Sequence, residues 1–172
     1  MLRDMEREIV PMARHFGMAL APWDALGGGK FQSKKSMEER KKNSEKLRSV
    51  LGPGEQTEDE VKMSEALLKV ASEHGIASVT AIALAYVMSK TPNVFPIVGG
   101  RKVEHLKDNI QALKIKLTDK QVEYLESIVP QIPEFPNNFI GADPHVSGQA
   151  GMILAASAQF SFVQAPKAIS HE

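Results

Sequence analysis

The residues best suited to chemistry in this 172-residue chain lie in the run Phe95-Pro96-Ile97-Val98-Gly99-Gly100-Arg101-Lys102-Val103-Glu104-His105-Leu106-Lys107-Asp108-Asn109. A short apolar run, two glycines and then an amphipathic stretch form the pattern of a strand, a turn and a helix. Glycines after a buried strand let backbone amides approach an anion. The first turn of the following helix adds unpaired amides and the positive end of its dipole. Arg101 contributes a planar fork suited to a phosphate monoester. His105 stands about one helical turn further on, and Asp108 and Asn109 follow after about another. One helix can therefore offer a cation, an imidazole and an amide to a single elongated ligand. The alternative is an ordinary turn with Arg101 and Lys102 in solvent.

A second constellation stands earlier. The apolar run Met18-Ala19-Leu20-Ala21-Pro22 reads as a buried parallel strand, and Trp23-Asp24-Ala25-Leu26-Gly27-Gly28-Gly29-Lys30 is the loop that follows it. The charged stretch from Lys34 to Arg48 mixes both signs and reads more readily as a solvated excursion than as the short helix that residues 37–42 would allow. Gly52-Pro53-Gly54 closes it.

Elements that would position these loops are legible on either side. Met5, Ile9 and Met12 or Ala13 describe an amphipathic helix from about Leu2 to Phe16, complicated by Pro11 and stopped by Gly17. Thr57 with Glu60 has capping-box spacing and opens a helix with Val61, Leu68 and Ala71 on its apolar face, ended by Gly75. Residues 78–89 are apolar nearly all round and predict a helix packed on several sides. Thr91-Pro92 stops it. Residues 94–98 form a second strand, and Val103, Leu106, Ile110 and Leu113 give the apolar face of the next helix. Thr118 with Gln121 opens another helix with Val122, Leu125 and Val129 as its stripe, ended by Pro130. Pro133, Pro136 and Pro144 mark an irregular tail with one short helix at 150–158 and frayed last residues. The order predicts an α/β protein with parallel strands, and two strands are too few to cover this many helices.

Composition narrows the function further. Twenty-one basic residues balance twenty-one acidic ones, so no global field draws nucleic acid or an anionic membrane. The absence of cysteine removes disulfides, thiolate metal sites and cysteine nucleophiles. His15, His74, His145 and His171 have no carboxylates at metal-ligand spacing, so no metal site is expected, and His74 reads as complementing a helix end. The charged N-terminus lacks the apolar core of a secretory signal, and the expectation is a cytosolic protein.

The two constellations, in this order, resemble the seventh and eighth strands and following loops of the aldo-keto reductases. The likeness is nearest to the fungal aryl-alcohol dehydrogenase type and extends to about Phe139. The resemblance implies a (β/α)8 barrel of which this chain is the C-terminal part, with residues 1–139 in the barrel and 140–172 as a tail. It implies NADP(H) as cofactor and an aromatic alcohol or aldehyde as substrate. Pro22, Trp23, Asp24 and Leu26 would line the pyrophosphate and nicotinamide side, with Trp23 bordering the substrate or plugging the barrel mouth. Gly99, Gly100 and Arg101 would hold the adenosine 2′-phosphate. His105 would stand where relatives often have arginine or glutamine, and Asp108 and Asn109 would face the adenine. Two departures stand out. Ala21 cannot stack on a nicotinamide as an aromatic ring would, and His105 is a weaker phosphate partner than arginine.

In that family a tyrosine, tuned by a lysine, an aspartate and a histidine, donates the proton during hydride transfer. These residues come from the first half of the barrel, so the resemblance implies no catalytic residue here. Tyr86 and Tyr124 both fall on helices. Three functional readings stay open: an oxidoreductase whose other half lies in a longer polypeptide, a non-catalytic remnant that binds NADP(H) or a partner, and, ranked last because it gives no reason for the two glycine loops, a helical interaction module. Open barrel edges would favour self-association.

Overall fold

The computed structural model describes residues 3–43, 47, 55–159 and 161–168. Its centre is helical. Helix α3 (Glu58–Glu73), α4 (Val79–Ser89) and α6 (Asp119–Ile128) share a core of Met63, Leu67, Val70, Ile82, Tyr86 and Leu125, with Phe31 packed into it. Helix α4 is the innermost element. Val79 and every residue from Ala81 to Tyr86 are buried, as a sequence apolar on all faces requires. The predicted face of α3 is displaced by part of a turn, because Met63, Ala66, Leu67 and Val70 go inward with Ala71 while Val61 and Leu68 are half-covered.

Local signals set the helix ends. Thr57 and Thr118 each accept from the third helical amide while Glu60 and Gln121 reach back, so both capping boxes form. Gly17 and Gly75 take left-handed φ values of 63° and 68°. Each closes a helix by the same pair of bonds, Gly17 N to Arg14 O and Met18 N to Ala13 O, then Gly75 N to Ser72 O and Ile76 N to Ala71 O. The expected first helix is divided into a 3-10 turn (Asp4–Glu6) and α1 (Ile9–His15). Pro11 lies in the first turn of α1, where its missing N–H has no helical acceptor to serve. Of the expected face Ala13 is buried, with Val10 beside it, whereas Met5, Ile9 and Met12 are exposed, so the face is corrected at those three positions.

The charged stretch folds as α2 (Lys34–Lys42), capped by Ser33 and with no buried residue. The helix was the less favoured expectation for this stretch. Arg40, Lys41 and Lys42 in its last turn suit the dipole, and the face remains solvated. Residues 52–54 lie outside the described residues, as do His171 and the frayed end expected there. The tail carries three short helices, α7 (Asn137–Ile140), α8 (Pro144–Ser147) and α9 (Met152–Ser157).

The two expected strands meet as parallel segments but form only one bridge, Leu20 with Val94. Leu20 N donates to Asn93 O at 2.9 Å, Phe95 N to Leu20 O at 2.8 Å and Ile97 N to Pro22 O at 2.9 Å. The next rung needs an N–H from residue 22, and proline has none. Nor are the segments buried on both sides. Ala19, Ala21, Phe95 and Ile97 form an exposed face, and the chain is accordingly helix-rich. Helix α5 (Val103–Ile110) departs most from expectation. Its stripe of Val103, Leu106, Ile110 and Leu113 is 48% to 64% exposed.

One polar cluster ties the N-terminus to the core. Arg3 reaches Glu6 at 2.7 Å and Glu126 at 3.2 Å, while Lys90 pairs with Glu6 at 3.0 Å and with Glu126. Tyr86 Oη donates to Glu126 at 3.2 Å. Burial alone would raise the Glu6 carboxyl, but hydrogen bonds from Arg3 and the charge of Lys90 outweigh it and hold it below the usual range. A depressed carboxyl stabilises the fold above its unfolded value, about 4.3, and that contribution disappears as pH falls through the folded value. The thermal midpoint should therefore fall as pH is lowered from about 5 to about 3, and Glu6→Gln should flatten that slope. Lys90→Met should cost about 1–3 kcal/mol in urea unfolding at neutral pH, between the values for surface and buried pairs.

Candidate functional site

The two predicted loops emerge from neighbouring segments of the parallel pair, but they differ in what they leave available. In the first, Asp24 adopts a φ of 58° and folds the loop back on itself. Its carboxylate Oδ1 accepts from Gly28 N at 2.6 Å, and its carbonyl accepts from Gly27 N at 2.9 Å. Gly29 N and Lys30 N go to Leu26 O and Gly27 O. All four amides are thus spent inside the turn. Leu26 packs against the helical core and Pro22 accepts from Ile97, whereas Trp23 is 64% exposed. Lys30 is held by Glu60 at 2.9 Å and Lys34 pairs with Glu65, so these two ammonium groups are already engaged by carboxylates.

The second loop is open. No bond from the amides of Gly99, Gly100 or Arg101 to a backbone or side-chain acceptor exists among the described residues, and Arg101 is exposed with no carboxylate paired to it. Gly100 leaves space that its neighbour uses. A Cβ there would stand 3.0 Å from His105 Cβ and 3.5 Å from His105 Nδ1, so the bare glycine seats the imidazole beside the turn. The Gly99, Gly100 and Arg101 amides, the exposed Arg101 guanidinium and the His105 imidazole thus lie together just before and within the first turn of α5.

Further along α5 the predicted residues diverge. Asn109 is 8% exposed and its carboxamide has no hydrogen-bond partner among the described residues. It lines a groove of about 130 Å³ with Leu84, Met88, Pro96, Leu106 and Ile110. Asp108 is instead tied to the start of α4. Its Oδ2 accepts from Ser78 Oγ at 2.7 Å and from Thr80 Oγ1, and its Oδ1 accepts from Gln111 Nε2 at 3.1 Å. Hydrogen bonds to a charged group contribute about 1.5–3 kcal/mol each. Ser78 also caps α4 by accepting from Ala81 N at 3.0 Å. Neither Ser78 nor Thr80 stood out in the sequence as a partner of this helix, because each reads there only as a helix-start hydroxyl.

A match to the aldo/keto reductase family covers residues 1–130. The chain belongs to that family. It is 69% identical over 160 residues to the probable aryl-alcohol dehydrogenase AAD4 of Saccharomyces cerevisiae, covering 93% of this chain and 49% of that protein. Putative aryl-alcohol dehydrogenase AAD15 of the same yeast is 65% identical over 129 residues, which is 75% of this chain and 90% of AAD15. Among solved structures, the thermostable aldo-keto reductase Tm1743 in complex with the inhibitor epalrestat matches with a TM-score of 0.49 and 27% identity, over 74% of this chain and 36% of that one. The chain spans about half the length of AAD4 and of several other relatives it matches.

Among the described residues no helix is long and apolar enough to cross a membrane, and no group of three His, Asp or Glu side chains is arranged to hold a metal. Tyr86 is held by Glu126, and burial together with the Glu6 and Glu126 charges pushes its phenol well up. Tyr124 lies beneath Lys69, 4.3 Å from its ring centre.

Asp24 yields a direct check on the first loop. Asp24→Ala removes the bond to Gly28 and leaves a left-handed backbone that alanine resists, so the thermal midpoint should fall by the equivalent of about 1–3 kcal/mol. Asp24→Gly relieves the backbone and should lose less.

Proposed function

We propose that this chain binds the adenosine 2′-phosphate end of NADP(H) and forms the cofactor part of an aryl-alcohol dehydrogenase-like oxidoreductase acting on small aromatic alcohols and aldehydes. The observation that carries the reading is the turn just before α5, whose amides at residues 99–101 meet no acceptor among the described residues. The open amides of Gly99, Gly100 and Arg101 and the space that Gly100 leaves suit a phosphate monoester. Similarity to AAD4 and AAD15 supports the substrate class.

In this reading the Arg101 guanidinium forks onto the 2′-phosphate and His105 adds a second donor beside it. Asn109 offers its carboxamide to the adenine, a base whose edge matches an amide's donor and acceptor. Pro22, Trp23, Asp24 and Leu26 border the pyrophosphate and nicotinamide. The cofactor, when bound, supplies or accepts the hydride. For the accompanying proton, Tyr86 is poorly suited. The raised phenol of Tyr86 is committed to Glu126, far from the acidity that a donor near neutral pH needs. That observation favours cofactor binding without turnover by this chain alone.

Titration of the 172-residue chain with NADPH should change the fluorescence of Trp23, with Arg101→Ala weakening binding about tenfold or more. Absence of any response at millimolar NADPH would overturn the cofactor reading. With an aromatic aldehyde added, NADPH absorbance should stay constant, and steady oxidation would show that a proton donor has been overlooked.

A further inference from the structure

We infer that Thr80 and Ser78 are positioning residues for the phosphate site, acting through Asp108; the inference rests on the cofactor reading above. Helix α5 carries the site residues, yet its own apolar stripe does little to fix it, since Val103, Leu106, Ile110 and Leu113 are about half exposed or more. The fully buried apolar contact with Ala81 and Leu84 of α4 comes from Ala112, in the turn that follows α5, and not from the α5 stripe. Such contacts are non-directional and leave rotation of the helix about its axis weakly specified. The directional tie is Asp108. One carboxylate oxygen takes the Ser78 hydroxyl at 2.7 Å and the Thr80 hydroxyl, and the other takes Gln111 Nε2 at 3.1 Å.

Both hydroxyls stand at the start of α4, the innermost element. The bracket therefore sets the rotation of α5 relative to the core. Rotation decides where residues one turn earlier point, including His105 beside Gly100. With both carboxylate oxygens occupied from the protein side, Asp108 acts on the ligand through geometry.

Thr80→Val tests this most cleanly, because it removes one hydroxyl of similar volume and leaves the Ser78 cap of α4 intact. The affinities of the full chain for NADPH and NADH are compared. Thr80→Val should weaken NADPH about tenfold, equivalent to about 1.4 kcal/mol, and change NADH much less. Thr80→Ser should restore NADPH binding. Amide exchange across residues 103–110 should quicken in Thr80→Val without cofactor, while residues 63–71 of α3 stay protected. An unchanged ratio of NADPH to NADH affinity, or equal loss for both, overturns the inference while leaving the cofactor reading standing. Failure of the unsubstituted chain to bind either dinucleotide overturns the cofactor reading and this inference with it.

Discussion

Helix α4 cannot be left in water. Its residues are apolar on every side, and the chain responds by covering it with α3 and α6 on the core side and with the turn after α5 on the other. Burying a medium-sized apolar side chain is favourable by about 1.5–3 kcal/mol, and α4 buries seven residues. Polar ties then form at its two ends. At the start, Ser78 and Thr80 hold Asp108 of α5, and at the finish Tyr86 and Lys90 hold Glu126 of α6 while Lys90 also holds Glu6. The site is thus placed from one end of the helix and the N-terminus from the other.

The same constraint explains what the parallel pair can and cannot do. Leu20 and Val94 bring the two loops to neighbouring positions, and Pro22 ends the ladder where the loops begin. The loops then divide their tasks. Asp24 closes the first on its own amides, while in the second the bare Gly100 leaves room for His105 and its amide meets no acceptor among the described residues.

What could be read from the sequence follows the range of the interactions. Gly17, Gly75 and the two capping boxes were legible because each acts within six residues, and the burial of α4 because it needs no choice of face. The inward faces of α1 and α3 were not. A periodic pattern fixes a stripe only when polar residues bound it, and Met63, Leu67 and Val70 compete with Val61 and Leu68. The α5 stripe was read correctly as apolar, but burial depends on what lies opposite it, and the described residues cover it only in part. The strands were overestimated because Pro22 and Pro96 looked like apolar members of a run, whereas proline removes a ladder donor. At the site, the glycine turn and Arg101 could be found by spacing. The destination of Asp108 could not, because Ser78 and Thr80 lie 30 and 28 positions away. The ion cluster is equally remote, with Glu126 and Arg3 at opposite ends of the matched region.

Membership of the aldo/keto reductase family and similarity to yeast aryl-alcohol dehydrogenases say which chemistry this chain is related to. The proposed cofactor role rests on its own residues at 99–105. The most direct measurement is amide exchange of the chain with and without saturating NADPH, read residue by residue. The account predicts added protection confined to residues 99–105 and the adjoining turns of α5, with residues 27–30 and 63–71 unchanged. Protection spread evenly over the helical core, or centred on residues 27–30 with none at 99–105, would contradict it.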